Sequence, residues 1–391
     1  MRVLTVIDAL RLGGAESLVV QLARVCSDVD VELSVLSLHE DRPEYSRLAP
    51  QLREAGVEPG YLGARRTLDP LAFRRLVEHI RRTKPDVVHA HLEMAMTMAV
   101  PAAALAGVPV VCTFHHVHGP HHRHGRPSRR DRVRERLALE VATRGDATLF
   151  VSRASLTSFA DRYRAGRPVP ASWRVVHNGV DLDHFSPGDG DAPLPPDLGA
   201  GVARVVTVLA RRDDVKGIVH AIEAWPAVLA VAPDVKLLLV GGPGSAEEAL
   251  RRKVGELHLA GSVLFAGMRS DITDILRSSE AVLLPSVHGE NLPTVLMEAG
   301  GCGRPVVASD VGGIGDIVVD GETGFLVPPG DPEAIARAVT RLLEEPHLAA
   351  ALGAAGRQRM ERLFDARVWA RSLRSVYEEV ASSTQRTRRP T

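Results

Sequence analysis

Short apolar runs alternate with longer stretches of helical periodicity from one end of this chain to the other, and that alternation leaves few folds open. In the first half the runs fall at 3–7, 31–37, 87–90, 110–114, 147–151 and 174–177, with helical patterns near 16–26, 69–83, 94–106, 129–143 and 153–164. The second half repeats the scheme, with runs at 204–209, 235–240, 263–266, 281–284 and 305–308 and helical patterns at 217–230, 246–259, 271–278, 293–301, 331–344 and 347–362. Strands apolar throughout, each followed by a helix, belong to parallel sheets covered on both faces. Between the halves lies Ser186-Pro-Gly-Asp-Gly-Asp-Ala-Pro-Leu-Pro-Pro-Asp-Leu-Gly199, too rich in Pro, Gly and Asp to continue either pattern. A length of 391 residues also exceeds what one core supports. The expected fold is therefore α/β, with two doubly wound, Rossmann-like domains at 1–188 and 200–365. Ligand-binding loops at the strand carboxyl ends of two such sheets can enclose a site between them. A last helical pattern, 366–381, follows the second domain, and the polar, basic tail 382–391 is expected to be disordered.

Charge and cysteine usage remove several function classes. The 48 Lys and Arg balance 48 Asp and Glu, which argues against general affinity for nucleic acid. Cys26, Cys112 and Cys302 sit in apolar or helical surroundings without metal-ligand spacing and read as small core residues. The opening Met-Arg-Val-Leu-Thr-Val-Ile-Asp turns polar too soon for a secretory signal, and no apolar run approaches the roughly 18 residues of a membrane span. The cytoplasm is the expected location.

Chemistry concentrates in Pro285-Ser-Val-His-Gly-Glu-Asn-Leu-Pro-Thr-Val-Leu-Met-Glu-Ala-Gly300. The preceding run, Ala281-Val-Leu-Leu284, reads as a buried strand end. Gly289 and Pro293 punctuate a loop, and Pro293 suits the first position of a helix, where its missing N–H costs nothing. Glu290 then lies in the loop, while Glu298 sits in the helix on the same face as Thr294. A helix N-terminus with free N–H groups, one acid in front of it and one beside it, suits a sugar nucleotide: diphosphate on the helix end, hydroxyls on the carboxylates. The alternative is a pair of solvated glutamates.

This segment resembles the Glu-x7-Glu element of the family 4 retaining glycosyltransferases, which have the GT-B fold. The similarity continues through Gly303-Arg-Pro-Val-Val-Ala-Ser-Asp-Val-Gly-Gly313 and Asp320-Gly-Glu-Thr-Gly-Phe-Leu-Val-Pro328, and covers nearly the whole chain up to the last helical pattern. The resemblance implies transfer of a hexosyl unit from a nucleotide diphosphate sugar, UDP- or GDP-linked, to an acceptor hydroxyl of unknown identity, with retention at the anomeric carbon. It also implies that the helix at 366–381 crosses back onto the first domain. Asp310-Val-Gly-Gly-Ile-Gly-Asp-Ile-Val318 departs from the family pattern. Gly315 and Asp316 stand where Pro-Glu usually follows, and Asp keeps the carboxylate with a shorter reach.

In Leu209-Ala-Arg-Arg-Asp-Asp-Val-Lys-Gly217 a strand gives way to a helix, and Arg211 and Lys216 can converge on phosphates whose charge grows as the leaving group departs. The element resembles the family's Gly-Arg-Leu-x-x-x-Lys-Gly, with Ala210 for Gly and Arg212 as a rival of Arg211. Val240-Gly-Gly-Pro-Gly244 offers a turn that brings backbone near a nucleotide. Phe265-Ala-Gly-Met-Arg-Ser-Asp271 resembles the loop for the base, with backbone at Met268 or Arg269. By this resemblance the donor is bound by Gly14, Arg211, Lys216, Met268, Glu290, Asn291, Leu292, Thr294 and Glu298, with Glu290 on the sugar hydroxyls and Glu298 on the ribose.

In the first half, Leu12-Gly-Gly-Ala-Glu16 joins the first strand to the first helix. Gly13 and Gly14 let backbone pass close to a donor phosphate or an acceptor, and Glu16 is either an acceptor contact or a plain first-turn acid. His115, in Thr113-Phe-His-His-Val-His118, matches the family's Thr-x-His position. With Arg211, Lys216 and Glu290 it makes up the expected catalytic group. His89 and His91 alternate along a strand end and point the same way; they are a metal or acceptor pair, or histidines that hold loops. From His115 to Arg136 six His and seven Arg meet only Asp131 and Glu135, at spacings that fit no structural zinc pattern. This stretch, 115–136, reads as a solvated loop, as a flexible loop near the acceptor, or as a patch for anionic lipid or phosphate; contact with lipid would bring the protein to the inner face of the membrane. Asp181-x-Asp183 looks like the metal-binding D-x-D of a different glycosyltransferase fold, one without two doubly wound halves. No metal, and no cofactor besides the substrate nucleotide, is expected.

Two other functions suit the same scaffold. A sugar-nucleotide 2-epimerase or hydrolase needs further acid–base groups, which the sequence does not identify. A non-catalytic sugar-nucleotide binder has no need to keep Arg211, Lys216, Glu290 and Glu298 together. No residue is an obvious covalent nucleophile, which fits front-face attack with the leaving phosphate taking the proton.

Overall fold

The structure, a computed structural model, describes residues 1–65, 69–117, 129–164, 166–188, 194–198 and 204–388, without the side chains of 129–132 and 384–388. The chain divides into two compact units: Met1–Gly179 with Ala366–Thr391, and Val180–Asp365.

The first unit carries strands β1 (Arg2–Ile7), β2 (Glu32–Ser37), β3 (Gly60–Tyr61), β4 (Val87–His91), β5 (Val110–Phe114), β6 (Ala147–Phe150) and β7 (Trp173–Val175). Helices α1 (Gly14–Val25), α2 (Ala49–Glu54), α3 (Pro70–Thr83), α4 (Glu93–Ala106), α5 (Arg129–Ala142) and α6 (Arg153–Arg164) connect them. All pairings are parallel, in the order β3-β2-β1-β4-β5-β6-β7. The order reverses between β1 and β4, so the loops that leave these two strands part to opposite faces and open a crevice at the sheet's carboxyl edge. β4 and β5 are buried at every position, as strands covered on both sides must be.

The second unit repeats this plan with β8 (Arg204–Leu209), β9 (Val235–Val240), β10 (Val263–Gly267), β11 (Ala281–Leu284), β12 (Val306–Ser309) and β13 (Phe325–Val327). The parallel order is β10-β9-β8-β11-β12-β13, and the reversal falls between β8 and β11. Its helices are α7 (Ile218–Val231), α8 (Glu247–Glu256), α9 (Ile272–Arg277), α10 (Thr294–Gly301), α11 (Ile314–Ile317), α12 (Pro332–Glu344) and α13 (Pro346–Leu363). Trp225 of α7 is fully buried at the centre of a core built with β8, β9 and α12.

The final helix, α14 (Ala366–Arg388), belongs to the first unit. Ala366, Trp369, Ala370, Leu373, Val376, Tyr377 and Val380 recur at helical spacing and pack with Val3, Leu18, Leu22 and Val87. Ion pairs flank that stripe: both Arg174 guanidinium Nη atoms reach Glu379 at 2.5 and 2.6 Å, and Arg374 Nη1 reaches Asp30 at 2.8 Å. The helix runs on past the apolar pattern that ends at 381, because nothing up to Arg388 breaks it and Ser383 Oγ bonds back to Glu379 O at 2.9 Å.

Other differences from the sequence reading are local. β3, β13, α2 and α11 carry too few residues for a periodic signal, and Pro293 is the N-cap of α10 rather than its first residue. The segment from Val180 to Phe185 packs with the second unit. Val180 N donates to Phe364 O at 2.7 Å, and Arg357 Nη1 donates to the carbonyls of Phe185 and Gly301 at 2.8 and 2.6 Å.

Candidate active site

In the second unit the strand-order reversal places two loops side by side, 210–217 after β8 and 285–293 after β11. Val287 N donates to Val215 O at 3.0 Å and zips them together. Gly217 turns at φ 60°, and a Cβ there would lie 2.1 Å from Pro285 O, so only glycine allows this approach. Gly312, at φ 59°, backs the second loop in the same way: a Cβ would come 1.8 Å from Glu290 O, while Gly313 N donates to that carbonyl at 3.3 Å.

This clamp brings together residues that lie far apart in sequence. Lys216 Nζ donates to Glu290 Oε1 at 2.6 Å, and Ser286 Oγ donates to the same oxygen at 2.5 Å. Glu290 is 5% exposed, and these two donors stand in for the water it has lost. Both bonds fall on Oε1, and Oε2 makes none among the described residues. Behind Glu290, α10 begins at Thr294 with no side-chain cap, and its first N–H groups stay available to an anion. Glu298, a turn further on, is pushed up to about 7 by burial, against the opposing hydrogen bond from Thr294.

The structure separates the two neighbouring arginines. Arg212 is buried, paired with Glu247 and bonded through Nη1 to Gly241 O at 2.6 Å; it serves the loop. Arg211 keeps a 62% exposed side chain and, among the described residues, its guanidinium pairs with Asp213 alone, through Nε at 2.5 Å, so of the two it is the one open to a phosphate. Met268 is 79% exposed, whereas Arg269 is tied down by Asp271 and Asp197. Leu292 is buried beneath the loop, with Asn291 partly exposed beside it. Gly315 has room for a side chain, the nearest atom to a Cβ being Asp310 Oδ1 at 4.0 Å; nothing in the structure explains its departure from the family pattern.

In the first unit Gly13 is the extended N-cap of α1, and the Glu16 carboxylate folds back over it where a Cβ would stand. That is the posture of a first-turn acid closing its own helix end. Asp8, one residue past β1, does the same for α4: its carboxylate accepts from Ala95 N at 2.6 Å, and burial raises it to about 7. His115 follows β5 and is partly exposed. His89 and His91 are buried instead, and each bonds to protein groups, as loop-holding histidines do. Asp181 Oδ1 accepts from the N–H groups of Asp183 and His184 at 3.1 and 3.0 Å, which makes the D-x-D sequence a turn.

Ser286, Asp213 and Asp8 were not singled out by the sequence. Ser286 and Asp213 differ from ordinary loop residues only through the partners they meet in space. Half of the basic tract, 118–128, lies outside the described residues. Just beyond it, Glu93, His116 and Glu135 bring ligand-type atoms within 4.8 Å of one another. Both carboxylates already have protein partners: Glu93 accepts from Arg134 at 2.9 Å, and Glu135 accepts from the Tyr163 hydroxyl at 2.5 Å and lies 3.9 Å from Arg162. No described helix is long and apolar enough to cross a membrane.

Comparison with known proteins bears on the family and the fold. Residues 200–359 match the model for "Glycosyl transferases group 1" and residues 12–184 that for "Glycosyltransferase Family 4". The chain is 30% identical over 384 residues to a phosphatidyl-myo-inositol mannosyltransferase of Mycolicibacterium smegmatis, covering 95% of this chain and 91% of the relative. It is 34% identical over 232 residues to a GDP-mannose-dependent alpha-(1-6)-phosphatidylinositol monomannoside mannosyltransferase of the same organism, 57% of this chain and 59% of that one. Among solved structures, Anabaena HepE in complex with UDP superposes with a TM-score of 0.80 at 23% identity, over 97% of this chain and 100% of that one, which supports the GT-B fold. Matched along nearly its whole length to a relative of this kind, the chain belongs to the family 4, group 1 glycosyltransferases.

Proposed function

We propose that this glycosyltransferase moves a hexosyl unit from a UDP- or GDP-linked sugar to an acceptor hydroxyl, with retention at the anomeric carbon and without a metal ion. The observation that carries the reading is the Lys216–Glu290–Ser286 cluster in front of the uncapped N-terminus of α10. As the glycosidic bond breaks, negative charge grows on the diphosphate and positive charge on the sugar ring. Lys216, Arg211 and the α10 N–H groups stabilise the former. Glu290 Oε2 accepts a sugar hydroxyl, Glu298 the ribose hydroxyls, and His115 contacts a substrate oxygen. With cations and helix N–H groups already set against the diphosphate, the leaving phosphate can take the acceptor's proton.

The relatives' mannosyl activity makes GDP-mannose the first donor to try, with UDP-glucose beside it, and phosphatidylinositol in vesicles the first acceptor. On α5, Val133 is 68% exposed and Leu137 43%, one helical turn apart and next to Arg136, a surface suited to anionic lipid. The test combines both substrates in EDTA and reads the anomeric configuration of the product by NMR, with sedimentation of the protein on the vesicles. Retained configuration in EDTA is expected. An inverted product, activity that returns only with Mg²⁺ or Mn²⁺, or an epimerised sugar nucleotide formed without acceptor each contradicts the reading, and failure to sediment removes the lipid surface.

Glu298 supplies a pH signature. Ribose hydroxyls donate to the carboxylate form, so binding lowers a pKa that stands at about 7 in the free protein. A proton is therefore released on binding below that pH, and affinity for GDP or UDP rises from pH 6 toward 8 before levelling. Calorimetry in two buffers of different ionisation enthalpy should show the release, and Glu298→Gln should abolish it. Glu298→Ala should weaken binding about 10-fold or more, the loss of a hydrogen bond to a charged group. Equal affinity and no released proton would remove Glu298 from the ribose site.

A further inference from the structure

Behind His115 the first unit buries a polar cluster that the proposed reaction does not otherwise use. His89 is fully buried, with Nδ1 2.7 Å from Tyr377 Oη and Nε2 2.7 Å from Thr113 Oγ1. His91, two residues along β4, is 2% exposed. Its Nδ1 lies 2.9 Å from His115 Nε2, and its own Nε2 is buried without a partner. The next residue, Leu92, holds φ 71° and ψ 161°, a backbone region nearly closed to side chains and kept only where surrounding structure enforces it. Asp8 supplies that enforcement by fixing the first turn of α4.

These contacts decide where the protons sit. A buried N–H without an acceptor is rarer and costlier than an unfilled lone pair. The cavity that adjoins the cluster measures about 10 Å³, at the lower end of the roughly 10–15 Å³ that one water needs. His91 therefore carries its proton on Nδ1, where an acceptor waits, and leaves Nε2 bare. His115 Nε2 is that acceptor, so the proton of a neutral His115 must be on Nδ1, which makes no bond among the described residues. All three rings stay neutral, because burial lowers each and the crowding of ring beside ring adds to the effect.

We infer that His91 is a positioning residue for transfer: by donating to Nε2 it holds His115 as the Nδ1–H tautomer, a hydrogen-bond donor toward a substrate oxygen rather than a proton acceptor. The inference rests on the reading of His115 as a substrate contact, and the two can fail separately. Side-chain NMR of the full chain labelled with ¹⁵N-histidine, assigned with His115→Gln, reads the tautomer without any substrate. A protonated Nδ1 and bare Nε2 on His115 are expected; a proton on Nε2 overturns the inference whatever the activity. Turnover of GDP-mannose or UDP-glucose provides the second arm. His91→Leu should lower kcat about 10-fold, the loss of one oriented hydrogen bond, and His91→Asn, whose amide N–H can take the place of Nδ1–H, should recover most of it. His91→Asp reverses the polarity, favours the charged His115 ring, and should give kcat a new dependence on pH between 6 and 8. Equal losses in the Leu and Asn variants reduce His91 to packing. If the tautomer is as stated but His115→Gln turns over normally, the tautomer stands and the substrate contact falls.

Discussion

Lys216→Ala is expected to lower turnover about 100- to 1,000-fold, the scale seen when one preorganised charge is removed from a developing anion. Two effects add in the same direction. The diphosphate loses a cation as its charge grows, and Glu290, 5% exposed, loses the ammonium that lies 2.6 Å from Oε1. Ser286 then holds the carboxylate alone, and its loop has less reason to keep its shape. Folding should change far less, since Lys216 is partly exposed. Single-turnover kinetics with a thermal melt separates the two. Normal turnover would remove Lys216 from the leaving group. A collapsed melting transition would make it a structural residue.

A chain that ends at Asp365 is expected not to fold its first unit. It lacks α14, and with it Trp369, Leu373, Val376, Tyr377 and Val380 from the core beside β1 and α1. At about 1.5–3 kcal/mol per large buried side chain, those five amount to roughly 7–15 kcal/mol, as much as the whole stability of an ordinary domain. The ion pairs Arg174–Glu379 and Arg374–Asp30 go as well, a smaller loss at the surface. The truncated chain should be insoluble, or show one melting transition where the full chain shows the melting of both units. Two intact transitions would contradict the packing described.

Much of this was legible in the residues and some was not. Continuous apolar strands separated by helices announced two parallel sheets, because burial on both faces leaves no alternation to misread. The order of the strands carries no such signature, yet it is what puts loops 210–217 and 285–293 side by side. Lys216 and Glu290 lie 74 residues apart, and only the family resemblance joined them beforehand. The choice between Arg211 and Arg212 turned on Glu247 and the Gly241 carbonyl, partners outside the local sequence. The two readings of His89 and His91 stayed open for the same reason: the Tyr377 hydroxyl comes from 288 residues away. Very short elements such as β3 were missed because two residues hold no period.

The return of α14 to the first unit also sets a timetable for synthesis. Ribosomes add about 5–20 residues per second, so the amino-terminal half waits tens of seconds, with an apolar face uncovered, until the closing helix emerges. In that interval the nascent polypeptide is a natural client for holding chaperones, and Val180–Asp365 can reach its native form first although it is made second.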